Sequence, residues 1–148
     1  MIPIKEDLRK IDIGMIGETW VMYQLALRGI FSQKQNSFFD YDLLTNTSVR
    51  IEVKTSTIHT EKPGPNSSKD YTREFWSFAN QDGRDRDCDF YCFVCLGRDF
   101  IPLKTYVIPA KVIGERSLVS ISCNPKRDMP IYGGKAIHSY MNNFELIA

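Results

Sequence analysis

Residues 39–56 read FDYDLLTNTSVRIEVKTS, two β-branched and aromatic runs around the polar segment Asn46-Thr47-Ser48. Runs of that kind about a short polar break predict a β-hairpin. The length of its loop decides which side chains share a face, because side chains alternate with period two along a strand. With three loop residues, Thr45 stands opposite Val49 and Asp42 opposite Glu52. A loop of two or four residues would put those carboxylates on opposite faces. Within the second run Glu52 and Lys54 share one face, while Ile51 and Val53 point the other way into apolar packing.

The rest of the chain is read around this hairpin. A helix is expected over 13–28, with Asp12 as N-cap, Gly29 as C-cap glycine, and Ile16, Trp20, Tyr23 and Leu27 toward the core. Strands are expected over 30–36, 38–45 and 49–56, then over 71–80, 89–96, 104–108 and 118–122. The stretch 57–70, with Pro63, Gly64 and Pro65, has no periodicity and reads as a long loop. A helical turn is expected after Pro109 and a last helix from Lys135. The pattern is that of one α/β domain over 1–148, a mixed central β-sheet flanked by helices.

Composition excludes several classes. At 43% hydrophobic and 25% charged residues, the chain is neither disordered nor collagen-like. No stretch approaches the roughly 18 apolar residues of a membrane span. MIPIKEDLRK carries charges where a signal peptide needs an apolar run, so an intracellular, cytoplasmic location is expected. A net charge of +1 means that any basic surface is local. Cys88, Cys92, Cys95 and Cys123 are expected as thiols; Cys92 and Cys95 lie an odd number apart on one strand and so face opposite ways, which argues against a shared zinc.

The chemistry concentrates in the hairpin. Cross-strand Cβ atoms in the stated register lie about 4.5–5.5 Å apart. Two carboxylates that close repel unless a cation lies between them, and a hard divalent ion such as Mg²⁺ suits them. Such an ion polarises a phosphoryl oxygen, and Lys54 beside it can orient water and offset charge. Phosphodiester hydrolysis needs these parts and no organic cofactor. Glu18 adds a third acid; its helical neighbours Val21, Met22 and Leu25 are apolar, so burial calls for a metal site or a lysine as partner. Gly14 and Gly17 would let that helix approach the sheet closely. The plain alternative for Glu52-Val53-Lys54 is a solvated charge pair on an exposed strand face.

In order, GMIGETWVMYQLALRGI, DYDLL and IEVKTS resemble the PD-(D/E)xK nuclease superfamily, in the arrangement of Holliday-junction resolvase-like members and compact homing endonucleases. The resemblance covers about a third of the chain. It implies a restriction-endonuclease-like core and a Mg²⁺-dependent endonuclease acting on duplex or branched DNA, with Mn²⁺ as a possible substitute. Asp42 and Glu52 would be metal ligands, Lys54 the catalytic lysine, and Glu18 the helix acid that joins or tunes the metal site. Tyr41 stands where that family usually has proline, which leaves Asp40 as a rival ligand. Other readings are a nucleic-acid-binding or assembly module on the same fold that does not cut, and an RNA-processing nuclease. A domain this small that cuts both strands calls for a homodimer or higher oligomer.

For the nucleic-acid backbone the basic candidates are Lys62, Lys69, Arg73, Arg84 and Arg86, with Tyr71, Lys126 and Arg127 beside them. A solvated loop is the alternative for these. His59 reads as a loop histidine, Thr55 and Ser56 as ordinary strand residues, and Trp76 with Phe78 as core.

Overall fold

The computed structural model describes residues 10–68, 70–79, 87–124 and 131–148. Helix α1 (Lys10–Ala26) begins earlier than the apolar pattern indicates, so that Asp12 lies in its first turn. It ends at Ala26, two residues before the expected boundary, and the chain turns away at the expected glycine. Gly29 takes a left-handed conformation (φ +75°), its N–H bonds the Ala26 carbonyl, and the Ile30 N–H reaches back to Leu25. These paired bonds satisfy carbonyls that the helix end would otherwise leave open.

The docking face of α1 differs from the expectation. Val21 and Leu25 are fully buried and Ile16 and Trp20 pack at the margin, whereas Tyr23 and Leu27 are exposed. The reason is Gly17, where an added Cβ would lie 1.8 Å from Thr55 Oγ1. The helix rests its backbone on the sheet at that point, and the face one turn onward from Gly17 follows it down. Gly14 has open space around it and makes no such approach.

The main sheet has the order β1-β2-β3-β6-β7, made of β1 (Ser32–Lys34), β2 (Leu43–Thr45), β3 (Arg50–Ser56), β6 (Phe90–Leu96) and β7 (Pro102–Pro109). Only β3 and β6 run parallel; the other pairs are antiparallel. A second, antiparallel sheet has the order β4-β5-β8, from β4 (His59–Glu61), β5 (Arg73–Ala79) and β8 (Leu118–Ser122). The chain therefore leaves β3, builds two strands of the second sheet, and returns as β6. Helix α2 (Ala110–Ile113) follows Pro109. The expected C-terminal helix is replaced by the hairpin β9 (Ile131–Tyr132) and β10 (Lys135–Ala136) and two short 3-10 turns. Strand β4 lies within the segment expected as loop; His59 is a strand residue stacked on Phe75.

Strand β6 is buried along nearly its whole length because both faces of the main sheet are covered, which explains the near-continuous apolar run FYCFVCL. Cys92, Val94 and Leu96 join Val21, Leu25, Ile51, Val53, Phe144 and Ile147 under α1 and the C-terminal turns. Tyr91, Phe93 and Cys95 face the second sheet, where they meet Trp76, Phe78, Val119 and Ile121. Cys92 and Cys95 thus lie on opposite faces, both as free thiols, as their odd separation requires. Trp76 and Phe78 are core, and the indole N–H of Trp76 bonds the Leu96 carbonyl at 2.9 Å. The result is the mixed α/β architecture with a central mixed sheet and helices. Among the described residues no helix is long and apolar enough to cross a membrane.

Candidate active site

The turn between β2 and β3 sets the site. The Ser48 N–H bonds the Thr45 carbonyl at 3.0 Å, and Ser48 adopts a left-handed conformation (φ +65°). A turn followed by one left-handed residue is the usual form of a three-residue hairpin loop. Thr45 Oγ1 reinforces it by accepting from the Thr47 and Val49 N–H groups, and the Asn46 N–H bonds the Phe31 carbonyl on the neighbouring segment. Thr45 is then opposite Val49, Leu44 opposite Arg50, and Leu43 opposite Ile51. The ladder ends there: the Asp42 N–H turns onto the Ile51 carbonyl at 2.9 Å, which leaves Asp42 beside the start of the Glu52-Val53-Lys54 segment.

Asp42 lies just before β2, where the backbone ladder gives way to a side chain. Its Oδ2 accepts the Val53 N–H at 2.8 Å, filling the place that a further β2 carbonyl would occupy. This contact holds the Asp42 carboxylate against the middle of the Glu52-Val53-Lys54 segment. Asp42 is therefore an aspartate tied to β3 through both its backbone and its side chain. Tyr41 packs against the core between the sheets.

On β3, Ile51 and Val53 enter the core under α1, so Glu52, Lys54 and Ser56 take the other face. Their neighbours on β6 are Tyr91, Phe93 and Cys95. Glu52 is only 6% exposed, and Lys54 Nζ lies 3.1 Å from its Oε1. Ser56 is structural: its hydroxyl donates to the Thr57 carbonyl and accepts the Ser77 N–H, joining the two sheets. Thr55 Oγ1 is the group beneath Gly17 and has no hydrogen-bond partner.

Glu18 approaches from the α1 side and meets a lysine, but that lysine is Lys34 of β1. Lys34 Nζ lies 2.9 Å from Glu18 Oε2. The contact pairs charge without hydrogen-bond alignment, and Oε2 is otherwise closed off from solvent. Nothing in the sequence singled out Lys34, because a three-residue edge strand carries too short a pattern. Among the described residues no group of three or more His, Cys, Asp or Glu side chains is gathered to hold a metal. What the fold does assemble is Asp42 bonded to the Val53 N–H, the Lys54–Glu52 pair on the same strand, and Glu18 with its own cation.

A second charged cluster begins the same strand. Arg50 grips Asp89 through two guanidinium nitrogens and its backbone N–H, and it also contacts Asp87. The Asp89 N–H returns a bond to the Arg50 carbonyl. The hydrogen bonds from Arg50 hold the Asp89 carboxyl below its ordinary range.

Of the basic residues expected at nucleic acid, Lys62 is exposed in the segment after β4. Arg73 sits on β5 over the Phe75 ring (4.3 Å) and donates to Ser120 Oγ. Lys69, Arg84, Arg86, Lys126 and Arg127 lie outside the described residues.

No protein-family model matches the sequence, and no curated protein sequence matches it. Among solved structures, the fold is similar to that of a bacterial homing endonuclease, I-Ssp6803I. The TM-score is 0.61 at 18% sequence identity, over 94% of this chain and 91% of the other. At that identity the likeness is one of fold.

Proposed function

We propose that this chain is a Mg²⁺-dependent endonuclease of the PD-(D/E)xK type that hydrolyses phosphodiester bonds in DNA. What supports this reading is the Asp42 carboxylate accepting the Val53 N–H, between Glu52 and Lys54, with Lys54 seated on the Glu52 carboxylate. The likeness of fold to a bacterial homing endonuclease supports it.

The donor set suits the ion: hard carboxylate oxygens, one of them on a buried side chain that repels its neighbour unless a cation is close. Asp42 and Glu52 would hold Mg²⁺, while Glu18, on the α1 side and paired with Lys34, would tune the site rather than ligate the ion. When bound, the ion supplies Lewis acidity toward a phosphoryl oxygen. Lys54 orients the attacking water and offsets charge that develops on the phosphate. Tyr91 and Phe93 beside it keep the site poor in bulk water, which strengthens each of these electrostatic effects. Cleaving both strands of a duplex would take two copies of the site, hence a symmetric dimer or larger assembly.

The test is cleavage of supercoiled plasmid in Mg²⁺, in Mn²⁺ and in EDTA. The parent protein should cut with either metal and not in EDTA, and Lys54→Ala should slow cutting by at least about a hundredfold. Equal cutting by Lys54→Ala would place the chemistry elsewhere. Cleavage of RNA alone would change the substrate.

A further inference from the structure

The connection between β1 and β2 grows directly out of the candidate site. The Gln35 N–H donates to the Asp42 carbonyl at 2.8 Å, so residues 36–41 form a loop whose base is Asp42 itself. Asn36 organises this loop: its side-chain oxygen accepts the Phe38 N–H at 3.0 Å, and its carbonyl accepts the Phe39 N–H. Three aromatic residues lie within it. Tyr41 packs inward on the core, and Phe39 leans on Tyr41 with ring centroids 5.4 Å apart. Phe38 is left 94% exposed at the tip.

A lone exposed aromatic on a surface is unremarkable in itself. The position of Phe38 distinguishes it. It is four positions from Asp42 in sequence, so its Cα lies within about 14 Å of that residue's Cα. It is also four positions from Lys34, whose side chain is 55% exposed at the other root of the loop and is paired with Glu18. The loop thus offers an apolar tip between an ammonium and a carboxylate site.

Resting on the nucleic-acid reading above, we propose that Phe38 is a wedge that stacks into the DNA at a base step near the phosphate engaged by Asp42 and Glu52. Apolar side chains inserted between base steps unstack and kink a duplex, and an aromatic ring serves any base because every base has a π-face. Lys34 contacts the backbone of the same strand. The occupant is a duplex rather than a second copy of this chain because the loop is rooted on the site residue itself and carries a cation at its base.

The experiment uses the full chain carrying Lys54→Ala, to allow binding without cutting, and mixed-sequence duplexes containing aminopurine, whose fluorescence rises on unstacking. The Phe38 side chain contacts solvent almost entirely, so Phe38→Ala keeps the fold, which circular dichroism checks. Binding should raise the fluorescence with Phe38 or Phe38→Trp in place. Phe38→Ala should abolish the rise and weaken binding by roughly tenfold. If Phe38→Ala binds and raises fluorescence as its parent does, the wedge is wrong while the nuclease reading stands. If no form binds any duplex, the nuclease reading fails and the wedge falls with it. If Phe38→Ala instead reduces the oligomeric state in sedimentation, the ring belongs to a protein contact and the proposal is overturned.

Discussion

Arg50 and Lys54 both sit on β3 and both hold a carboxylate, yet they join different things. Arg50 reaches across to Asp89 at the start of β6, with several nitrogens engaged and a backbone bond returned. That contact fastens two strands. Lys54 reaches only to Glu52, two residues back on its own strand. A pair within one strand brings no distant parts of the chain together, and burying Glu52 costs desolvation that its partners must offset. The first arrangement is explained by folding. The second is the pair to which the proposed function assigns the chemistry.

The sharpest way to break this comparison is Glu52→Gln. The side chain keeps its shape and loses its charge, so cleavage should fall by at least about a hundredfold while the unfolding free energy stays level or rises by about 1 kcal/mol. Plasmid cleavage beside urea denaturation measures both. A loss of stability with activity kept would make Glu52–Lys54 a structural pair after all. The next effect is at Gly17, which supports β3 from the α1 side: Gly17→Ala should cost about 1–3 kcal/mol, because the methyl has no room over Thr55. Asp89→Asn should destabilise by about 1 kcal/mol, the partial exposure of the pair reducing the value of its charge-assisted bonds, and should leave metal-dependent cutting intact.

The smallest effect is in pH. The Asp89 carboxyl is held below its ordinary value of 3.8, so the folded protein releases this proton more readily than the unfolded chain. Its contribution is therefore full above that value and is lost as pH falls through the lowered one. Unfolding measured from pH 6 downward should show an acid limb that Asp89→Asn reduces.

How much of this was readable in the residues varies from element to element. The hairpin register was legible because turn length and period-two alternation are both local, and Ser48 supplies the left-handed position that a three-residue loop needs. The face of α1 was not. Ile16, Trp20, Tyr23 and Leu27 form an apolar series, but the helix docks through Gly17, Val21 and Leu25. A glycine adds nothing to a hydrophobic pattern while deciding how closely two backbones meet. Strand β4, the exposed triplet His59–Glu61, was hidden for a related reason: its pairing with β5 stems from backbone bonds, and its side chains show no buried face. In the candidate site, Asp42 and the Glu52–Lys54 pair could be placed near one another because all three belong to one hairpin. The Glu18–Lys34 pair and the Arg50–Asp89 clamp depend on strand order, which short edge strands and a charged segment do not announce.

Strand β6 carries one thiol into each layer of the molecule, Cys92 toward α1 and Cys95 toward the second sheet, and burial pushes both well above the ordinary thiol range. Neither reacts while its layer is closed. The protein therefore contains a pair of internal reporters on one rigid rod, and the order in which a thiol reagent modifies them tells which half of the core opens first.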